Sequence, residues 1–210
     1  MLDLIPGTSI GEYTIEKSLA EGSVSDVYLV IHPKIGKRAA IKVLRAKEVA
    51  ARDRFVDEAR SCNQIGHRNV VDVFSFGELA DGRPYIVMEY LQGESLAERM
   101  RRGPVPLAEA IPILDQIAAA LQATHAKQIV HGELTSKNVY LTSAGVKLLA
   151  FAGSCDANSA IDVHALGAIA SELIPVVDAI ARMRATDLAA GTMLADFRAT
   201  LASLRATAEG

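Results

Sequence analysis

The chain has 210 residues, half of them hydrophobic but only 5% aromatic, with a formal net charge of −3. That length can bury one large core or two smaller ones, and the mild acidity gives no basic field for nucleic acid. No run of about 18 apolar residues is present to span a membrane. Residues 1–6 lack the basic region and apolar core of a signal peptide, and Cys62 and Cys155 fit no metal spacing and suit a reduced, cytoplasmic setting.

Residues 13–19 and 27–31 read as strands around the turn 20–25, and residues 38–44, Arg-Ala-Ala-Ile-Lys-Val-Leu, as a third strand. A helix is predicted from about 48 to 65, with Phe55, Ala59 and Cys62 on one face and Glu58 beside them. Strands over 71–76 and 84–88 follow, joined by the turn 80–83. Residues 106–127 form a long amphipathic helix on which Leu107, Ile111, Ile113, Leu114, Ile117 and Leu121 keep a period near 3.6. Next comes 129–138, Ile-Val-His-Gly-Glu-Leu-Thr-Ser-Lys-Asn, which places an imidazole, a carboxylate, an ammonium and an amide on one polar loop. Polar loops held by rigid elements are where sites tend to sit. A small hairpin follows, 139–141 with 146–151 about the turn 142–145. The helix from about 160 to 174 is apolar on nearly every side. Residues 180–204 close the chain, with Met193, Phe197 and Leu201 at i, i+4 and i+8.

His131-Gly-Glu-Leu-Thr-Ser-Lys-Asn138 resembles the H-R-D-L-x-x-x-N catalytic loop of eukaryotic-type (bacterial Hanks-type) Ser/Thr protein kinases, and Ala150-Phe-Ala152 stands in the frame of D-F-G. Ala39-Ala-Ile-Lys42 resembles V-A-I-K, and Ala20-Glu-Gly-Ser-Val-Ser25 with Val27 resembles G-x-G-x-x-G-x-V. The resemblance covers residues 10–173 well and the tail weakly. It implies an α+β protein kinase-like fold: one domain over 1–210, with a β-rich N-lobe carrying one αC helix (10–88), a hinge (89–93) and a shortened helical C-lobe (94–210). It pairs Lys42 with Glu58 and lines a nucleotide site with Leu19, Gly22, Val27, Ala40, Met88, Glu89, Leu91 and Tyr140. The backbone of Glu89 and Leu91 then faces the adenine edge. His67 and His125 are read as structural, and Cys62, Val73, His131 and Phe151 as a packed column anchored by Asp162.

The departures from the family are as specific as the matches. Ala150 replaces the metal-binding aspartate, leaving Asn138 as a poor lone ligand for a hard cation. Glu133 replaces the catalytic aspartate and reaches one methylene further; Gly132 and Thr135 replace an arginine and a lysine. Only 152–161 separates Phe151 from Asp162-Val-His-Ala-Leu-Gly167, with no A-P-E. These changes predict a pseudokinase with no catalytic residues, His131, Glu133, Asn138 and Ala150 being degenerate positions. ATP is expected to bind weakly and without a need for magnesium. The function expected is protein interaction, with an unknown partner or by self-association through a C-lobe face left uncovered along the 160–174 helix; the other arrangement expected is that the closing helices, 180–204, swing in and cover that face. Two alternatives stand beside it: an atypical ATP-dependent Ser/Thr kinase using Glu133 as base, with Asn138 and Glu133 for metal, and a structural module with no nucleotide.

Overall fold

The computed structural model describes residues 4–45, 49–151, 158–174 and 190–208. Residues 152–157 and 175–189, which include Cys155 and the start of the expected closing segment, lie outside the described residues. The architecture is α+β, as expected. The chain divides into two compact units, Met1–Asn63 with Val71–Leu91 and Gln64–Val70 with Gln92–Gly210.

The first unit is a six-stranded antiparallel sheet with one helix. Its strands are β1 (Ser9–Ile10), β2 (Tyr13–Glu21), β3 (Ser25–Ile31), β4 (Arg38–Leu44), β5 (Val73–Glu78) and β6 (Pro84–Glu89), in the spatial order β1-β2-β3-β4-β6-β5. Helix α1 (Val49–Ile65) enters between β4 and β5 in the chain. Side chains alternate across a strand, and β4 uses both faces. Ala39, Ile41 and Val43 join Tyr28, Val30 and Val87 in one buried cluster. Leu44 goes to the other face, where it packs with Ile86 and with Phe55 and Ala59 of α1. Lys42 shares that second parity, so strand geometry alone turns its side chain toward α1. Cys62 is 4% exposed, and burial, with the Glu58 charge near it, pushes its thiol up to about 12. It is an inert core residue.

The second unit is mainly helical. Its elements are β7 (Gly93–Ser95), α2 (Leu96–Arg101), α3 (Leu107–Ala126), β8 (Val139–Thr142), β9 (Gly145–Leu148), α4 (Ala160–Leu173) and α5 (Ala190–Ala208). The predicted hairpin gains a third strand, β7, which pairs with β8. Gly93 has φ +157, and a Cβ there would run into the carbonyl of Leu141, so only glycine lets the two strands close. Ser95 then caps α2: Glu98 N donates to Ser95 Oγ, and Ser95 N donates to Glu98 Oε2 at 2.8 Å. Leu114, Ile117, Ala118, Ala120 and Leu121 of α3 are fully buried, whereas Leu107, in its first turn, is exposed.

The apolar face of α4 is covered, the second of the two arrangements expected for it. Val163, Leu166, Ile169, Ala170 and Leu173 are all buried, and among the large apolar residues of that helix only Ile161 is exposed. The cover comes from α3 and α5, which both pack on α4, with Met193, Leu194, Phe197 and Leu201 of α5 buried. The i, i+4, i+8 spacing of that helix supplies the apolar stripe needed.

Residues 64–70 belong to the second unit because their backbone adds to β9. Leu148 N donates to Asn69 O, and Val70 bridges Leu148 in parallel. Asn69 is 3% exposed and its Nδ2 donates to Val146 O at 2.7 Å and Gln116 Oε1 at 3.0 Å. Removing that amide leaves a buried carbonyl unpaired, at a cost of about 1–3 kcal/mol. Asn69→Ala is expected to lower the urea midpoint by that amount with an unchanged m-value; an unshifted midpoint would refute this account of Asn69.

Candidate active site

In the first unit, Lys42 Nζ stands 2.7 Å from both carboxylate oxygens of Glu58. Each side chain is 18% exposed, and the ammonium lies 5.5 Å from the Phe55 ring centroid. An ammonium on an apolar strand needs such a partner, and the two-point contact fixes where its charge sits.

The β2–β3 hairpin closes over Ser23 and Val24, with Gly22 N donating to Ser25 O at 3.0 Å. A Cβ on Gly22 would come within 2.6 Å of Ser25 O. The turn therefore keeps a glycine where its own strands meet, while Ala20 and Ser25 carry side chains. Leu19 is exposed, Val27 half-buried and Ala40 buried. Met88, Glu89 and Leu91 are half-buried. Glu89 N donates to Asp72 O at 2.9 Å.

In the second unit, the loop 129–138 rests on Asp162, in the first turn of α4 and fully buried. Asp162 accepts His131 N at 2.8 Å and Gly132 N at 2.9 Å, and its Oδ2 is 2.8 Å from His125 Nε2. Burial pushes this carboxyl up, but the bonds from His125, Gly132 and His131 outweigh it and hold it below the usual carboxylate range. His131 is fully buried, and its ring lies 4.3 Å from that of Phe151. Burial lowers its pKa to about 4, so it is a neutral packing residue rather than a base.

Asn138 closes the base of the loop. Its Nδ2 donates to Glu133 O at 2.8 Å, its backbone N donates to Thr135 O, and its carbonyl accepts Leu149 N. The Glu133 side chain is exposed. Tyr140 donates its hydroxyl to Gly93 O at 3.0 Å. Ala150 has a left-handed backbone, φ 58, and its methyl group offers no ligand.

These residues do not make a protein-only metal cage. Asn138 Oδ1 is a single neutral oxygen, and among the described residues no group of three His, Cys, Asp or Glu is placed to hold a cation. Nor, among them, is any helix long and apolar enough to cross a membrane.

Comparison with known proteins places these features. The model of the protein kinase domain family matches residues 13–173. The serine/threonine-protein kinase Pkn1 of Myxococcus xanthus is 37% identical over 142 residues, which cover 66% of this chain and 20% of that protein. The serine/threonine-protein kinase PrkC of Bacillus subtilis is 34% identical over 139 residues, 64% of this chain and 21% of that protein. The kinase domain of Mycobacterium tuberculosis PknI has the same fold, with a TM-score of 0.78 at 24% identity, covering 95% of this chain and all of that one. The fold is that of a protein kinase, and the chain belongs to the protein kinase domain family. It spans about a fifth of the length of these two curated relatives.

Two expectations are corrected by these findings. A silent, non-enzymatic interaction module is overturned by the relatives, which are named as serine/threonine-protein kinases. So is the dispensability of magnesium, because the family's reaction runs on ATP with Mg²⁺. The physical reason lies in the cation's own chemistry: Mg²⁺ keeps several waters and is held largely by substrate phosphates, so a sparse protein donor set does not abolish the requirement. The sequence reading missed Asp26 and Arg45, which pair just behind the tip of the β2–β3 hairpin; 19 residues separate them, and no local spacing signals the contact.

His131 carries a pH signature. Its folded pKa is depressed, so as pH falls the unfolded chain takes up the proton first. Its stabilisation is complete above about 6.5 and is lost as pH falls toward about 4, a loss on the order of 3 kcal/mol. In His131→Phe, urea midpoints at pH 7 and pH 4.5 should differ by less than in the unchanged protein; an equal difference would remove His131 as the cause.

Proposed function

We propose that the chain is the catalytic domain of an ATP-dependent serine/threonine protein kinase with an altered active site. The observation that carries this reading is the two-point contact of Lys42 with Glu58. In protein kinases this lysine–glutamate pair must be in place for transfer, because the reaction depends on positioning and charge neutralisation. The names of the bacterial relatives support the same reaction for this chain. Lys42 takes the phosphate charge. Gly22, Val27, Ala40 and Met88 present small or apolar surface to the nucleotide.

Glu133 is assigned as the base that accepts the proton of the substrate hydroxyl. Its carboxylate is exposed and its loop is fixed on both sides, by Asp162 behind His131 and Gly132 and by Asn138 across Glu133 O. The extra methylene relative to aspartate shifts the carboxylate, and a displacement of about 1 Å can cost roughly 100-fold. A slow enzyme is the expected result.

The test is transfer of labelled phosphate from ATP, with magnesium, to a generic Ser/Thr protein substrate. Transfer is expected at a low rate and to be lost in Lys42→Ala. Glu133→Gln should lower kcat by roughly 10²–10⁴-fold, the usual contribution of a general base, with ATP affinity nearly unchanged. No transfer by the unaltered protein, or transfer indifferent to Glu133→Gln, overturns the assignment.

A further inference from the structure

Two of the three glycines that the family keeps in the phosphate-covering loop are absent here, as Ala20 and Ser25 show. Side chains at those positions narrow the backbone's choices, yet the hairpin must still present its N–H groups in one place to be useful to a phosphate. Something else has to set its position. Gly22 N to Ser25 O fixes only the tip.

The loop is tied down from β4 by one residue, Arg45. Its backbone N donates to Val24 O at 2.8 Å, directly behind the tip. Its guanidinium grips Asp26 with two bonds, Nε to Oδ2 at 2.7 Å and Nη2 to Oδ1 at 2.6 Å. Asp26 is 7% exposed, an unusual degree of burial for a carboxylate and one that requires a partner. A bidentate Arg–carboxylate pair fixes orientation as well as distance.

The face on which this pair lies decides its role. In the β3–β4 register Asp26 stands opposite Val43 and Val27 opposite Lys42. Asp26 therefore shares the parity of Tyr28 and Val30, on the side of the buried sheet cluster, and not that of Val27. The pair holds the hairpin from behind and does not reach the face that carries Lys42.

We infer that Asp26 and Arg45 are positioning residues for nucleotide phosphate: their ion pair, with the Arg45 N–H to Val24 O bond, sets the β2–β3 hairpin in the place that the lost glycines no longer determine. The inference rests on the nucleotide reading above. It separates the pair from a merely stabilising one, since a misplaced hairpin loses its hold on phosphates and not on adenine. It also separates position from charge. If the guanidinium acted as a free cation, removing Asp26 would leave ATP binding intact or improve it. If it acts through the hairpin, removing either partner weakens ATP alike.

Calorimetry with ATP and with adenosine on Arg45→Gln, Asp26→Asn and Arg45→Lys provides the test. Both broken pairs should raise the ATP Kd by about tenfold, the scale of losing a preorganised loop, with the adenosine Kd unchanged. Arg45→Lys, which keeps one bond, should fall between. ATP affinity retained in Asp26→Asn, or adenosine affinity falling in step with ATP, overturns the inference. If the unaltered protein binds neither nucleotide, the nucleotide reading itself fails. The pair is then judged by amide exchange at Gly22 and Arg45: faster exchange in both broken pairs, with the middle of β4 still protected, upholds the positioning of the hairpin, and unchanged exchange refutes it.

Discussion

Asp162 has no exposed surface, so its negative charge must be met entirely by protein donors. It is met by two consecutive loop amides, His131 N and Gly132 N, and by the His125 ring at the end of α3. Donors of this kind cannot be rearranged one at a time, because each withdrawn bond leaves a buried charge short. Gly132 turns through φ 77, which lets successive N–H groups converge on one carboxylate. The loop is thus fixed from below, by backbone groups that any sequence supplies. Glu133 and Thr135 lie exposed on its other side and are not needed to hold it. That division explains how the loop keeps its frame while the groups it presents depart from the family pattern.

Lys42 and Glu58 obey a different logic. Replacing a part-buried ion pair by apolar residues is often neutral or stabilising, whereas removing one partner is costly. A domain needing only to fold gains little from placing an ammonium on β4 opposite α1. Other ion pairs here, such as Arg198 with Asp115, join helices near the surface, where such pairs contribute about 0–1 kcal/mol. The Lys42 pair is set apart by its place, a strand face with apolar neighbours and the Phe55 ring 5.5 Å from the ammonium. The arrangement makes sense as a charge held ready for something else, and a triphosphate is what the family brings to it.

How much of this was legible in the sequence follows from the range of each interaction. Strand β4, helix α1 and helix α3 were read nearly to the residue because period and local composition encode them. Lys42 and Glu58 could be matched because each sits in its own recognisable stretch. Strand β7 was missed: three residues with a glycine carry no periodic signal, and only pairing with β8 makes them a strand. The Asn69 amide and the Asp26–Arg45 pair were missed for the same reason, since both depend on which segments the fold brings together. The cover over α4 was legible only as one of two outcomes. The stripe Met193, Phe197, Leu201 was seen, but a stripe does not say what it packs against, so an open face and a face covered by the closing helices both stood until the fold placed α5.

Ala150 shows where motif reading and physical reading part. The motif records only that a metal ligand is gone. The backbone records that its geometry is not: φ is 58, a region that costs a residue with a Cβ about 1–2 kcal/mol. Strain of this sort persists when the surroundings over-determine the conformation, and they do so from both sides. Leu149 N is bound to Asn138 O, and the Phe151 ring is stacked on the buried His131. The left-handed turn is therefore imposed by the loop and its packing, not by the side chain at its centre. Losing the aspartate removes a ligand without disturbing the backbone geometry around Asn138 and Glu133.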